Sequence, residues 1–401
     1  MMSDWKKSVG SFLESTDESF DLFMQRFRNR FGLYKPLQIV PYRSYGTVNR
    51  LYLKGRVLTN KGITSAADND NLLKNLMNMY RRFESDEVSN AQLKIAFQEQ
   101  EYTVITDIEG YFVINLEPKT PLVLDNIWHE LEVELIHADI SSFEPGIKTK
   151  AHVLVPPPDA EYGIISDIDD TIVLSSATDI IKMSQHTFMN NARTRLPFAG
   201  VSAFYRSLQL GRNGKRNNPF FYVSSSPWNM YDLLHDFLDI NDIPAGPLLL
   251  RDFGLKQNKF FGADHMSHKF KEIQNILLTY PHLNFVLIGD SGQQDAPIYK
   301  EVIKQFPGRV ICVYIRDVEL EDRAKIVTTI SEELKGTVEM LLVKDTAAAA
   351  KHAAETGLIF YEEIEKVEEQ KQIDKSDEAG TPTQQAPAPI SKDTRKIGAT
   401  S

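Results

Sequence analysis

The sequence predicts an α/β protein whose larger domain is built on a parallel sheet, preceded by a small β-sandwich-like domain. From residue 161 onward, apolar runs of strand length alternate with helical stretches. Almost every one of those runs ends in polar or charged residues. Between about residues 37 and 154 the pattern instead alternates as half-buried strands do. Continuous apolar runs separated by helices indicate a parallel sheet covered on both faces. Ligands of such sheets sit beyond the carboxyl ends of the strands. The boundaries read as 1–36, an amphipathic helix; 37–154, the β domain; 155–362, the catalytic domain; and 363–401, a disordered tail.

Taken in order, residues 4–31 carry Phe20, Phe23, Phe27 and Phe31 at helical spacings, with Trp5 and Phe12 before them. Arg26, Arg28 and Arg30 cluster near the end of this stripe. A helix docked on its own domain is the favoured reading. A helix lying in a membrane interface is the alternative, weakened by Glu14, Asp17, Glu18 and Asp21, which repel anionic lipid. RLYLKGRVL, YTVITD, YFVINL and ELEVELIHA follow as strands. Asp107-Ile108-Glu109-Gly110 is expected to close a hairpin, with Gly110 at positive φ. DNLLKNLMNMYRRF is a helical insert, and VPPPDA a stiff extended hinge.

The catalytic domain opens with YGIIS and continues through PFFYV, GPLLL, NFVLI, RVICVYI and VEMLLV. Ser224-Ser225-Ser226-Pro227 follows the second run, Arg251-Asp252 the third, Gly289-Asp290-Ser291-Gly292 the fourth and Arg316-Asp317 the fifth. TAAAAKHAAETG is a strong helix former ending at Gly357. From about Glu368 the chain is rich in Gln, Pro, Thr, Ser and charge, with little to bury, hence the expected disorder.

Composition narrows the function. At 401 residues the chain has room for two or three domains. A formal net charge of −10 opposes a nucleic-acid binder that works by neutralising phosphates. The single Cys312 leaves no partner for an intramolecular disulfide and reads as core packing. No apolar run is long enough to span a membrane, and the start lacks a signal-peptide core. A cytoplasmic protein is expected, with peripheral membrane attachment as the alternative.

The chemistry concentrates at EYGIISDIDDT. The first strand empties into Asp167, Asp169 and Asp170, with Thr171 closing the turn. Crowded carboxylates repel one another and are costly to bury unless a cation compensates. The pattern therefore points to a hard divalent ion, Mg²⁺, and to phosphate chemistry. A solvated acidic turn that caps the next helix is the competing reading. His186, His265 and His268 lack metal-ligand spacing. Arg193 and Arg195 fit head-group contacts and a solvated helix face equally well.

Asp167, Asp169, Ser224, Lys269 and Gly289-Asp290 with Asp295 together resemble the haloacid dehalogenase superfamily signature, an Asp-x-Asp motif, a strand-end Ser or Thr, a Lys, and Gly-Asp followed by a further Asp. More narrowly, SDIDDTI, FYVSSSPWNMYDLL, GPLLLRDFG, HKFKEIQ and FVLIGDSGQQDAPIY resemble the catalytic domain of actin-patch-type phosphatidate phosphatases and their bacterial relatives. TDIEGYFVINL also looks like part of the domain that precedes it in bacterial members. The resemblance implies a Rossmann-like fold and hydrolysis of a phosphomonoester through an aspartyl-phosphate. Phosphatidate at a membrane surface is the leading substrate. It assigns Asp167 as nucleophile and metal ligand, and Asp169 as general acid and base with its carbonyl on the metal. Ser224 would contact phosphate, with Ser225 and Ser226 as rivals, and Lys269 would balance charge, with Lys256, Lys259 and Lys271 as rivals. Asp290 would hold Mg²⁺, and Asp295 would orient metal-bound water or ligate directly. A phosphatase for a soluble monoester or phosphoprotein is the enzymatic alternative. A non-catalytic scaffold that retains a phosphate pocket is the non-enzymatic one.

Overall fold

The computed structural model describes residues 37–59, 87–140, 143, 145–168, 198–251 and 263–380. The expected N-terminal helix and the helical insert at 70–83 lie outside the described residues, as do Asp169 and residues 381–401.

The first half contains β1 (Leu37–Pro41), β2 (Ser44–Thr47), β3 (Arg50–Thr59) and β4 (Gln92–Phe97). It continues with β5 (Gln100–Ile105), β6 (Tyr111–Leu116), β7 (Trp128–His137) and β8 (Ile147–Leu154). Seven of these eight strands lie on one hydrogen-bonded path in the order β1-β3-β2-β8-β7-β4-β5, and β6 pairs with β3 off that path. β2 joins the two halves of the path, antiparallel to β3 and parallel to β8. Period-two alternation turns Leu51, Leu53 and Val57 of β3 and Leu131, Val133 and Leu135 of β7 into one shared core. Among the described residues this half is thus a unit of strands around its own core.

One local expectation fails. The Asp107–Gly110 turn forms, with Gly110 at φ +76° and Asp107 Oδ1 accepting from Tyr111 N at 2.8 Å. The strands it joins do not pair with each other: β5 pairs with β4, and β6 with β3. The turn chemistry is local, whereas strand pairing is settled by which apolar faces meet in the core.

The second half carries six strands: β9 (Gly163–Ser166), β10 (Phe220–Pro227), β11 (Leu248–Arg251), β12 (Phe285–Asp290), β13 (Val310–Arg316) and β14 (Glu339–Val343). All pair in parallel, in the order β11-β10-β9-β12-β13-β14. Between and after them run α1 (Val201–Leu210), α2 (Tyr231–Ile240), α3 (Ala263–Thr279), α4 (Asp295–Gln305), α5 (Glu321–Glu333), α6 (Thr346–Glu355) and α7 (Glu362–Gly380). Neighbouring strand residues serve opposite faces. Ile164, Phe220 and Val286 pack with α1, α2 and α6, whereas Ile165, Phe221 and Leu287 pack with α3, α4 and α5. Both faces being covered explains why these runs are apolar throughout.

The C-terminal expectation needs correction. Residues 362–380 are helical rather than disordered, and α7 is docked. Val367 is fully buried, Ile364 packs on the same core, and Asp374 Oδ2 accepts from Gly200 N at 2.7 Å. Two apolar side chains and a few polar anchors suffice because α1 and α6 present a matching face.

The two halves meet along an aromatic seam. Tyr42 stacks on Trp228 with centroids 4.8 Å apart, and Tyr45 meets Phe221 edge-on at 5.8 Å. Arg43 forks onto Asp239 with both bonds at 2.9 Å, and Tyr280 Oη donates to Gly46 O at 3.0 Å.

Candidate active site

Strand register brings the acidic residues together. Ser166 of β9 lies opposite Ile288 of β12, so Asp167 stands one residue past that pair and Asp290 two. Asp167 N donates to Ile288 O at 2.9 Å, and Ser166 Oγ donates to Asp167 O at 2.7 Å, which fixes the strand end. Asp290 is held through Oδ1, which accepts from Gly292 N at 2.6 Å and Gln293 N at 2.9 Å. Asp295 opens α4 and turns back, its Oδ2 accepting from Asp290 N at 3.1 Å. That return leaves no room at Gly289: a Cβ there would lie 2.5 Å from Asp295 Oδ2. Glycine before Asp290 is therefore a requirement of close approach.

The fourth member comes from α3. Lys269, only 3% exposed, reaches Asp167 Oδ1 at 2.9 Å and Asp295 Oδ1 at 2.7 Å. Gln293 Oε1 accepts a further bond from it at 3.2 Å. Burial by itself pulls this ammonium's pKa down, but the charges of Asp167 and Asp295 and their hydrogen bonds more than reverse that, so the net shift is upward.

Asp167, Asp290 and Asp295 are all buried, with one carboxylate oxygen from each within 4.8 Å of the others. Two of these three buried carboxylates, Asp167 and Asp295, share the buried Lys269 ammonium. An all-oxygen donor set with surplus negative charge fits a hard divalent cation and not a soft one.

The remaining predicted residues fall as follows. Ser224 is fully buried on β10, two residues beyond the Tyr222–Ser166 pair and so level with the turn after Asp167. Its Oγ accepts from Ser226 N at 2.9 Å, which fixes its rotamer. Lys271, one of the rivals to Lys269, is exposed, whereas Lys256 and Lys259 lie outside the described residues. Asp169, Arg193, Arg195 and His186 also lie outside them. His268 belongs to no acidic cluster and faces the seam. Sequence reasoning missed Gln293, which touches both Lys269 and the Asp290 loop; its place between Asp290 and Asp295 was the available signal.

Residues 162–317 match the family described as Phosphatidate phosphatase APP1, catalytic domain. Phosphatidate phosphatase APP1 of Saccharomyces cerevisiae is 33% identical over 155 residues, 38% of this chain and 25% of the yeast protein. An uncharacterised protein of Schizosaccharomyces pombe is 31% identical over 225 residues, 54% of this chain and 35% of its own. The chain thus spans about a quarter to a third of the length of the curated relatives it matches. A carbohydrate acetylesterase structure from Xanthomonas citri aligns over 70% of this chain and 68% of its own at a TM-score of 0.25 and 13% identity.

Proposed function

We propose, from residues 162–317 as a catalytic domain of the phosphatidate phosphatase APP1 type, that this protein is a phosphatase that hydrolyses phosphatidate to diacylglycerol and phosphate. The observation that carries the proposal is the meeting of Asp167, Asp290 and Asp295 at one sheet edge with Lys269 buried between two of them. The same arrangement, an acidic strand end on a doubly covered parallel sheet, supports the haloacid dehalogenase-like reading of the domain.

A phosphate monoester dianion repels a carboxylate, so positive charge must be in place before attack. Lys269 supplies part of it and keeps Asp167 ionised. Asp167 and Asp290 would hold Mg²⁺, which when bound neutralises phosphoryl charge and acts as a Lewis acid. Asp295 holds Lys269 and the Asp290 amide in register, acting through them. Asp167 attacks phosphorus in line, giving an aspartyl-phosphate that water then hydrolyses. Asp169, two residues along, protonates the leaving oxygen and then takes a proton from the attacking water. Ser224, its hydroxyl oriented by the Ser226 amide, donates to a non-bridging phosphate oxygen.

Phosphate release from phosphatidate vesicles, with Mg²⁺ or with EDTA, tests the proposal. Turnover should require Mg²⁺ and fall at least about 10³-fold in Asp167→Asn. Retained turnover in that variant removes the nucleophile assignment. Release from water-soluble monoesters alone would transfer the same chemistry to a soluble substrate.

A further inference from the structure

A cleft of about 900 Å³ runs along the seam between the two sheets, and none of Asp167, Lys269, Asp290 and Asp295 lines it. Its walls come from β2 and β3 on one side and from β11 and α3 on the other. Five of the lining side chains are Arg or Lys, against one carboxylate, Glu272, in a chain of net charge −10. Arg43 is matched by Asp239 outside the cleft wall. Arg50 bonds only the neutral Asn115, at 3.2 Å, and neither it nor Lys271 has a carboxylate partner among the described residues. Both are exposed, one on each wall.

Two phenols line the same space. Tyr45 is 9% exposed, yet neither its hydroxyl nor that of Tyr52 bonds a described residue. Burial first, then the charge of Glu272, pushes the Tyr52 hydroxyl up to about 12, so it stays a proton donor. Arginine, lysine and phenol donors around a pocket of this size suit one kind of ligand: an anion with several acceptor oxygens.

We propose that the cleft between the two sheets is a second anion site that binds a phosphate-bearing ligand, a lipid headgroup or a soluble phosphate, through Arg50, Lys271 and the Tyr45 and Tyr52 hydroxyls. It adjoins the catalytic edge, because Trp228 and Arg251 line it at the carboxyl ends of β10 and β11, and His268 of the cleft immediately precedes Lys269. A phosphate group held there would sit beside the reacting one without sharing its ligands. Binding in the cleft requires no hydrolysis.

The test uses the full chain in an Asp167→Asn background, so that nothing is turned over and the catalytic edge is the same in every sample. Calorimetric titration with inorganic phosphate and flotation with phosphatidylcholine vesicles, with and without phosphatidate, are run on this parent and on Arg50→Ala/Lys271→Ala. Both substituted residues are exposed, and matching thermal melts check that the fold is kept. The double variant should bind about tenfold more weakly or worse, with Arg50→Lys recovering part of the loss. Weakening confined to flotation identifies a lipid headgroup, and weakening in the phosphate titration identifies a soluble phosphate. Binding by the double variant within about twofold of the parent in both assays, or no binding by the parent in either, overturns the proposal.

Discussion

With its ammonium 2.9 Å from Asp167 and 2.7 Å from Asp295, Lys269 is a buried cation shared by two carboxylates that also lie close to Asp290. Replacing it by methionine keeps most of the volume but leaves three buried carboxylates with no ammonium among them. Removing one partner of a buried pair typically costs about 3–5 kcal/mol, and denaturant melts of Lys269→Met in EDTA should show a loss of that order. Its phosphatase rate should fall at least about 10³-fold. His268, the neighbouring residue, gives a pH signature of opposite origin. Burial, opposed in part by Glu272 and aided by Arg251, lowers its pKa below the ordinary value. The folded protein therefore binds fewer protons at His268 than the unfolded chain, which protonates near about pH 6.5. Because the unfolded state binds more protons there, this contribution to stability is present above that pH and is lost as the pH falls. Denaturant midpoints of wild type and His268→Gln should diverge as the pH is lowered from about 7.5 to about 5.5, with the wild type losing more. Parallel midpoints would remove the assignment.

Among the secondary elements, α7 separates what local sequence reveals from what packing decides. Its residues EEIEKVEEQKQIDKSDEAG read as a solvated, charged stretch. Among its described side chains Val367 and Ile364 reach the core, while Glu363 accepts from Ser207 Oγ at 2.9 Å and Lys371 reaches Asp345 at 2.6 Å. Val367→Asp should cost about 3 kcal/mol or more by placing a charge in that core, lowering the melting temperature by several degrees. Ile373→Asp, on the exposed side at 53%, should stay within about 0.5 kcal/mol of wild type. Equal effects would mean that the helix does not dock as described. The strands divide the same way. YGIIS, NFVLI and RVICVYI were legible because both faces of the parallel sheet are covered, so nearly every residue is apolar. LQIVP, SYGT and IKTKAHVL were not, because short or lysine-rich strands owe their state to the partners beside them.

Across the whole molecule, the seam joins the β-rich half to the sheet that carries the acidic cluster. Tyr42 and Trp228 stack from opposite sides of it, with Lys54 over the indole at 3.9 Å. A double-mutant cycle of Tyr42→Ala and Trp228→Ala should return a coupling of about 0.5–1.5 kcal/mol. Additive effects would show that the two halves stand together without this contact. Asp167, Lys269, Asp290 and Asp295 were singled out by a family resemblance carried on strand-end motifs, and the structure brings these four side chains together. The sequence by itself also determined the covered parallel sheet, since burial on two faces leaves an apolar signature. Only the tertiary structure decided that Asp295 and Gln293 close on Lys269, that residues 362–380 form a docked helix, and that cations from distant strands and a helix line one cleft. Those facts depend on distances between segments far apart in sequence, which local composition and periodicity do not encode.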